Sequence, residues 1–320
     1  MEKSILNLPK QFAFHPKVEN AKSLKPAEKI IVAGMGGSAF PAELLKTAHP
    51  ELDIINHRDY ELPSLSASQK PKTLVIASSY SGNTEETISA FETARKAKLN
   101  LAALTIGGKL RALAKKFKVT YIQIPDTKIQ PRMATGFVVV GLSKLIGLKD
   151  ETSFASLSKN LKPEKFQKEG KALSEKLWDQ IPIIYASKRN FPIAECWKIK
   201  FNENTKIPAF WNFLPEMNHN EMTGLDARKT TSNLSANFHL IFLKDSSDSS
   251  RNQRRFAVSQ KILGARGLNQ TEIKLEGKNI WEKIFNPILL ADWTSFHLAK
   301  YYGVNPEPVP MVEEFKKLIK

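Results

Sequence analysis

The chain has 320 residues, 48 lysines and arginines against 32 aspartates and glutamates, a formal charge of +16, and a single cysteine. That length accommodates two α/β domains with an ample core, while the lone Cys196 excludes an intramolecular disulfide or a multi-cysteine metal cluster and fits a reducing compartment. With no apolar run of signal-peptide or membrane-spanning length, the expectation is a soluble, cytoplasmic protein without membrane contact.

In chain order, β-branched apolar runs alternate with amphipathic segments through the first half, the pattern of βα units around a parallel sheet. Strands are predicted at residues 29–33, 52–55, 73–77, 101–106 and 119–124, with helices over 39–47, 85–96, 109–117 and 133–146. Residues 147–176 are polar and lysine-rich, with helical but no strand signal, which places a domain boundary near Asp150. A second α/β unit follows, with strands at 183–186, 238–243 and 271–275 and helices at 193–202, 256–264 and 287–301. Residues 244–255 (KDSSDSSRNQRR) read as a loop by composition. The basic charge invites a nucleic-acid reading, but the lysines are dispersed. Arg251, Arg254 and Arg255 share one short segment without the aromatic interleaving that base stacking uses. The expectation is no nucleic-acid partner and a basic surface that draws in an anionic metabolite.

Two turns carry the chemistry. Gly34-Met35-Gly36-Gly37-Ser38 follows the first strand and precedes a helix, where backbone amides can approach an anion beside a helix N-terminus; a tight turn that merely needs glycine is the alternative. It lacks the dinucleotide spacing, because Ala39 stands three residues after Gly36 and no acidic residue ends the second strand. Ser78-Ser79-Tyr80-Ser81-Gly82-Asn83-Thr84-Glu85-Glu86-Thr87 follows the third strand. Its Ser79, Ser81 and Thr84 hydroxyls suit a phosphate held without lysine or metal, or else Asn83 and Glu86 form a capping box. In a doubly wound sheet of order 2-1-3-4-5 both turns open onto one crevice at the switch point.

GMGGS followed by SSYSGNTEET resembles the phosphosugar-binding signature of sugar isomerase domains. Pro131-Arg132, the stretch from Asn202 to Phe210 (NENTKIPAF), the stretch from Glu216 to Glu221 (EMNHNE) and Gly303-Val304-Asn305-Pro306 resemble, in order, the bifunctional phosphoglucose/phosphomannose isomerases. The resemblance implies two doubly wound parallel-sheet domains of flavodoxin-like order, with 1–150 binding phosphate through Gly36, Gly37, Ser38, Ser79, Ser81 and Thr84. It gives 151–320 the catalytic Glu203 and His219. It also implies a phosphorylated hexose substrate, no cofactor, and a homodimer in which His219 reaches the neighbouring subunit's site.

In the role the resemblance assigns it, Glu203 moves one proton between C1 and C2 of the sugar. By its residues alone it reads as a helix-end glutamate pointing away from Phe201, close to a boundary set by Pro208. His219, in a polar loop, has the neutral imidazole that opening a sugar ring needs, or is a surface histidine. Arg132 stabilises an enediolate in the resemblance's reading and is a surface arginine without it. Lys300 and Thr294 on the last helix are given ring-opening and C2-epimer roles by the same resemblance, and read as structural by themselves. The histidines show no paired spacing of the kind zinc enzymes use, so no metal is expected. Two rivals are a non-catalytic phosphosugar sensor and the isomerase part of a glutamine-dependent amidating enzyme; the latter needs a nucleophilic cysteine where only Cys196, mid-helix, exists.

Overall fold

The computed structural model describes residues 1–226 and 230–319. The chain divides into two compact units, Leu6–Leu161, and Met1–Ile5 with Lys162–Lys320. After helices α1 (Glu2–Leu6) and α2 (Leu8–Gln11), the first unit holds strands β1 (Val18–Glu19), β2 (Lys29–Ala33), β3 (Asp53–His57), β4 (Thr73–Ser78), β5 (Asn100–Thr105) and β6 (Thr120–Gln123). Helices α3 (Phe40–Ala48), α4 (Glu85–Lys96), α5 (Gly108–Lys116), α6 (Thr135–Ile146) and α7 (Glu151–Asn160) complete it. The sheet order is β1-β6-β5-β4-β2-β3, with β1 antiparallel and all other pairs parallel. The five parallel strands therefore run 2-1-3-4-5, as the sequence predicts. Their centre is β2 and β4, whose runs IIVA and TLVIAS are buried on both faces, with Ile31 opposite both Ile55 and Val75.

The division falls after Leu161 and not at 150. Phe154 and Leu157 of α7 are buried, and Phe154 stacks on Phe12 of the first unit at 6.1 Å between centroids. Two apolar residues three apart on one helical face outweigh the polar composition around them.

The second unit carries β7 (Ile181–Ser187), β8 (Phe210–Leu214), β9 (Phe238–Lys244) and β10 (Asn269–Lys274), all parallel, in the order β10-β9-β7-β8. By chain order that is 2-1-3-4, the same winding one strand shorter. Its helices are α8 (Gln167–Lys176), α9 (Phe191–Lys200), α10 (Glu221–Gly224), α11 (Ser232–Ser235), α12 (Ser250–Gly264), α13 (Ile280–Tyr301) and α14 (Pro310–Leu318). Helices α10, α11 and α14 lie outside the sequence reading, and three further features depart from it. β8 has no counterpart in that reading, because its FWNFL lacks alternation and stands between two prolines, Pro208 and Pro215. The serine- and arginine-rich segment is a loop only as far as Ser249, whose side chain accepts from Asn252 N at 3.3 Å and starts α12. α13 begins seven residues before Pro287. Asn279 accepts from Glu282 N at 3.0 Å, and Glu282 accepts from Lys278 N at 2.9 Å.

A buried histidine in this sheet makes stability depend on pH. His239 on β9 is 4% exposed, with Nε2 2.8 Å from Thr271 Oγ1 of β10. Burial first, and then the charge of Lys176, pull its pKa down to about 4. Below its ordinary value of about 6.5 the unfolded chain takes up a proton that the folded chain refuses. Stability is thus full above pH 6.5 and falls as pH drops towards 4, by up to about 3 kcal/mol. Calorimetric unfolding of His239→Gln should show a flatter dependence across that window; an unchanged slope would show that other groups carry it.

Candidate active site

The glycine turn leaves β2 and enters α3 through a single turn of 3-10 helix, Gly36–Ser38, with Gly36 at φ +49°. A Cβ on Gly34 would lie 2.6 Å from Ser78 O, and one on Gly37 would lie 2.8 Å from the backbone of Arg132, so neither position admits a side chain. Ser38 Oγ accepts from Tyr80 N at 2.9 Å, and Ser78 Oγ donates to Ser38 O at 3.0 Å. The loops after β2 and β4 are thereby fastened together at the switch point, and the turn Pro131–Met133 backs onto them. Arg132 is 2% exposed, contrary to the surface arginine its residue type alone suggests. Its turn is held by a residue that sequence reasoning missed. Gln11, itself buried, donates Nε2 to Met133 O at 2.7 Å, and its Oε1 accepts from Gly136 N at 2.9 Å, which caps α6 from outside the helix.

In the hydroxyl turn, Ser79 Oγ accepts from Gly82 N at 3.0 Å and lies 2.9 Å from Thr84 Oγ1, while the exposed Ser81 accepts from Asn83 N at 3.3 Å. Gly82 has φ +74°, and a Cβ there would sit 1.9 Å from Gly107 O. The capping alternative is not realised. Asn83 Oδ1 accepts from Lys109 N at 3.0 Å, the N-cap of α4 is Thr84, and no side chain bonds to the amides from that position. The first-turn N–H groups of α4 and the positive end of its dipole are left to serve an anion.

In the second unit, α9 runs into one π-helical turn, Phe201–Thr205, closed by Lys206 at φ +62°. Such widened turns are rare and frequent at functional sites. Glu203 sits half-buried in its middle, with its backbone carbonyl accepting from Lys206 Nζ. Both following side chains reach α13: Asn204 Nδ2 donates to Ser295 Oγ at 2.9 Å, and Thr205 Oγ1 donates to Ser295 O at 3.0 Å. His219 follows β8 and the cis Leu214–Pro215 bond, on an exposed turn after Glu216–Asn218. Its neighbours are clamped. Asn218 donates to Ser259 Oγ at 2.8 Å and accepts from Arg255 Nη1 at 3.2 Å. The Glu221 carboxylate accepts from the Tyr185 hydroxyl and from Asn212 Nδ2. Burial, then the Glu221 charge, push the Tyr185 hydroxyl far above its ordinary pKa and keep it a donor.

Residues 166–319 match the model of the bacterial phospho-glucose isomerase C-terminal SIS domain. A bifunctional phosphoglucose/phosphomannose isomerase of Caldicellulosiruptor bescii is 34% identical, aligned over 99% of this chain and 98% of its own. One from Thermoplasma volcanium is 36% identical over 91% of each chain. This chain belongs to the bifunctional phosphoglucose/phosphomannose isomerase family. The crystal structure of a hypothetical protein from Thermus thermophilus superposes with a TM-score of 0.71 at 15% identity, covering 99% of this chain and 87% of that one, a likeness of fold.

For this member of the isomerase family the structure settles the register of the last helix. Thr294 is wholly buried, with its hydroxyl donated to Leu290 O at 2.8 Å and its backbone packed on Gly170 of α8. That is where the residue expected to sense the C2 epimer lies in the fold. Lys300 is exposed near the end of α13, with Nζ 4.3 Å over the Phe296 ring. The crevice of the second sheet, where β7 and β9 exit, does not repeat the phosphate cradle. It holds Asp245, which accepts from Lys283 Nζ at 2.9 Å, Ser247 N at 2.9 Å and Asn190 Nδ2 at 3.3 Å. Burial works to raise the Asp245 pKa, but the bonds from Lys283 and Ser247 prevail and hold it below the ordinary range. Where the first crevice presents amides and hydroxyls, this one therefore presents a carboxylate paired with a lysine. Among the described residues, no group of three or more His, Cys, Asp or Glu side chains could hold a metal ion, and no helix is long and apolar enough to cross a membrane.

Proposed function

We propose that the chain interconverts glucose 6-phosphate and fructose 6-phosphate, and accepts mannose 6-phosphate, by moving a proton between C1 and C2 through a cis-enediolate. The observation that carries this reading is the uncapped N-terminus of α4 beside the glycine turn, an anion site made of amides and hydroxyls. The phosphate takes the Ser81 and Thr84 hydroxyls, the first-turn amides of α4 and the turn Gly36–Ser38, and Ser79 exchanges its bond to Thr84 for one to the ligand. Glu203 shuttles the proton and Arg132 offsets the charge of the enediolate. His219, supplied across a homodimer, opens the ring with assistance from Lys300. Both C2 epimers collapse to the same enediolate, so accepting mannose 6-phosphate requires only rotation about C2–C3 and room for either hydroxyl.

Purified protein given fructose 6-phosphate should form glucose 6-phosphate and mannose 6-phosphate without glutamine and undiminished by a chelator. Ser81→Ala should raise KM about tenfold with kcat within about twofold, the loss of one hydrogen bond to a charged ligand, and weaken inhibition by inorganic phosphate in parallel. Tight phosphosugar binding without turnover would establish the sensor reading instead, and dependence on glutamine the amidating one.

A further inference from the structure

We infer that Ser295 of α13, acting through Asn204 and Thr205, positions the Glu203 carboxylate for proton transfer; the inference rests on the assignment of Glu203 as the shuttle. Had α9 continued as a regular helix, every residue beyond Lys200 would keep the i→i−4 spacing. The π turn inserts one residue into that spacing, and so rotates the side chains beyond it by roughly 100° about the helix axis. A widened turn is intrinsically unfavoured, so it persists only where tertiary bonds hold it. Two such bonds meet at one residue. Asn204 Nδ2 donates to Ser295 Oγ at 2.9 Å, Thr205 Oγ1 donates to Ser295 O at 3.0 Å, and Ser295 Oγ donates onward to Asp292 O at 3.1 Å.

Asn204, Thr205 and Ser295 are each at most 1% exposed, whereas Glu203 between them and Asn202 is half-buried. On the other flank Asn202 Nδ2 donates to Ile207 O at 2.9 Å, which closes the turn on itself. Three polar side chains in a dry interior add little net stability over apolar ones of the same shape, but they fix direction far more narrowly. Two of them directly follow in the chain the one side chain whose direction the chemistry depends on, where an ångström of misplacement costs about a hundredfold in rate. Ser295 also stands next to Thr294, so the hydroxyl of this helix that serves the site acts through the catalytic turn.

The test uses Thr205→Val, which removes the hydroxyl and keeps the shape, together with Ser295→Ala, with Thr205→Ser as the conservative restoration and Glu203→Gln alongside. Thr205→Val and Ser295→Ala should lower kcat about 10- to 100-fold with KM for fructose 6-phosphate within about twofold and circular dichroism unchanged; Thr205→Ser should keep kcat within about threefold of the parent. In deuterium oxide, NMR should show a larger share of the transferred proton lost to solvent in the two weakened variants, because a badly aimed carboxylate returns its proton more slowly. A fully active Glu203→Gln would refute the shuttle assignment itself. An inactive Glu203→Gln beside Thr205→Val and Ser295→Ala of parental kcat and parental exchange would refute the positioning role alone. Should Ser295→Ala fail to fold, the isosteric Thr205→Val decides by the same two readouts. Activity lost only in proportion to unfolded protein, with parental exchange in the folded fraction, also overturns the inference.

Discussion

Glu203→Gln should lower isomerase kcat by at least about a thousandfold while fructose 6-phosphate still binds with Kd within about threefold of the parent. The amide matches the carboxylate in shape but cannot accept a proton at neutral pH, so the step between C1 and C2 loses its base while the pocket keeps its volume. On the proposed reading binding survives, because the phosphate would take its affinity from the amides and hydroxyls around Ser81 and Thr84 and not from Glu203. Titration calorimetry with fructose 6-phosphate measures the second quantity and a coupled assay the first. Glu203→Asp should fall between, about a hundredfold down, because one lost methylene withdraws the carboxylate by more than an ångström. Full activity in Glu203→Gln would move the shuttle elsewhere.

The first sheet was legible from the sequence because β2, β4 and β5 are short, near-continuous apolar runs buried on both faces, which alternate with longer amphipathic segments. The winding order followed from it, and with it the meeting of the glycine and hydroxyl turns. Whether Asn83 capped α4 was not legible, since the residue types for a cap and for a phosphate turn are the same; the choice is made by Lys109, 26 residues on, whose N–H takes the Asn83 oxygen. The π turn was invisible for a related reason. FNENT reads as the frayed end of a helix, and only bonds to Ser295, some 90 residues away, distinguish the widened turn from an ordinary one. The last helix hid its register because Thr294 and Ser295 are adjacent hydroxyls, and a difference of roughly 100° in direction decides which one faces α8 and which faces the catalytic turn. Gln11 and the burial of Arg132 were beyond reach altogether, because each depends on a contact more than a hundred residues distant in sequence or on packing without a local pattern.

Asp292→Asn should destabilise the second unit by about 3–5 kcal/mol, because it takes the negative charge out of a buried ion pair with Lys200. The two side chains are 1% and 2% exposed and meet at 2.7 Å, immediately before the π turn on α9 and one turn before Ser295 on α13. The surroundings are dry enough that burial pushes the thiol of Cys196, one turn earlier on α9, up to about 12 even though the Lys200 charge acts the other way. Thermal unfolding of the second unit should therefore begin about 10 °C lower, at roughly 2–4 °C for each kcal/mol in a body of this size. Replacing both partners, Lys200→Met with Asp292→Leu, removes the charges together and should restore most of the loss, since well-packed apolar residues often match a buried ion pair. That contrast separates two explanations of the single variant. If the double replacement is as unstable as Asp292→Asn, the loss comes from packing around α13 and not from the broken ion pair. If its stability returns while kcat stays low, the pair also helps to aim the turn that carries Glu203, and the link between α9 and α13 is shared among Lys200, Asn204 and Thr205.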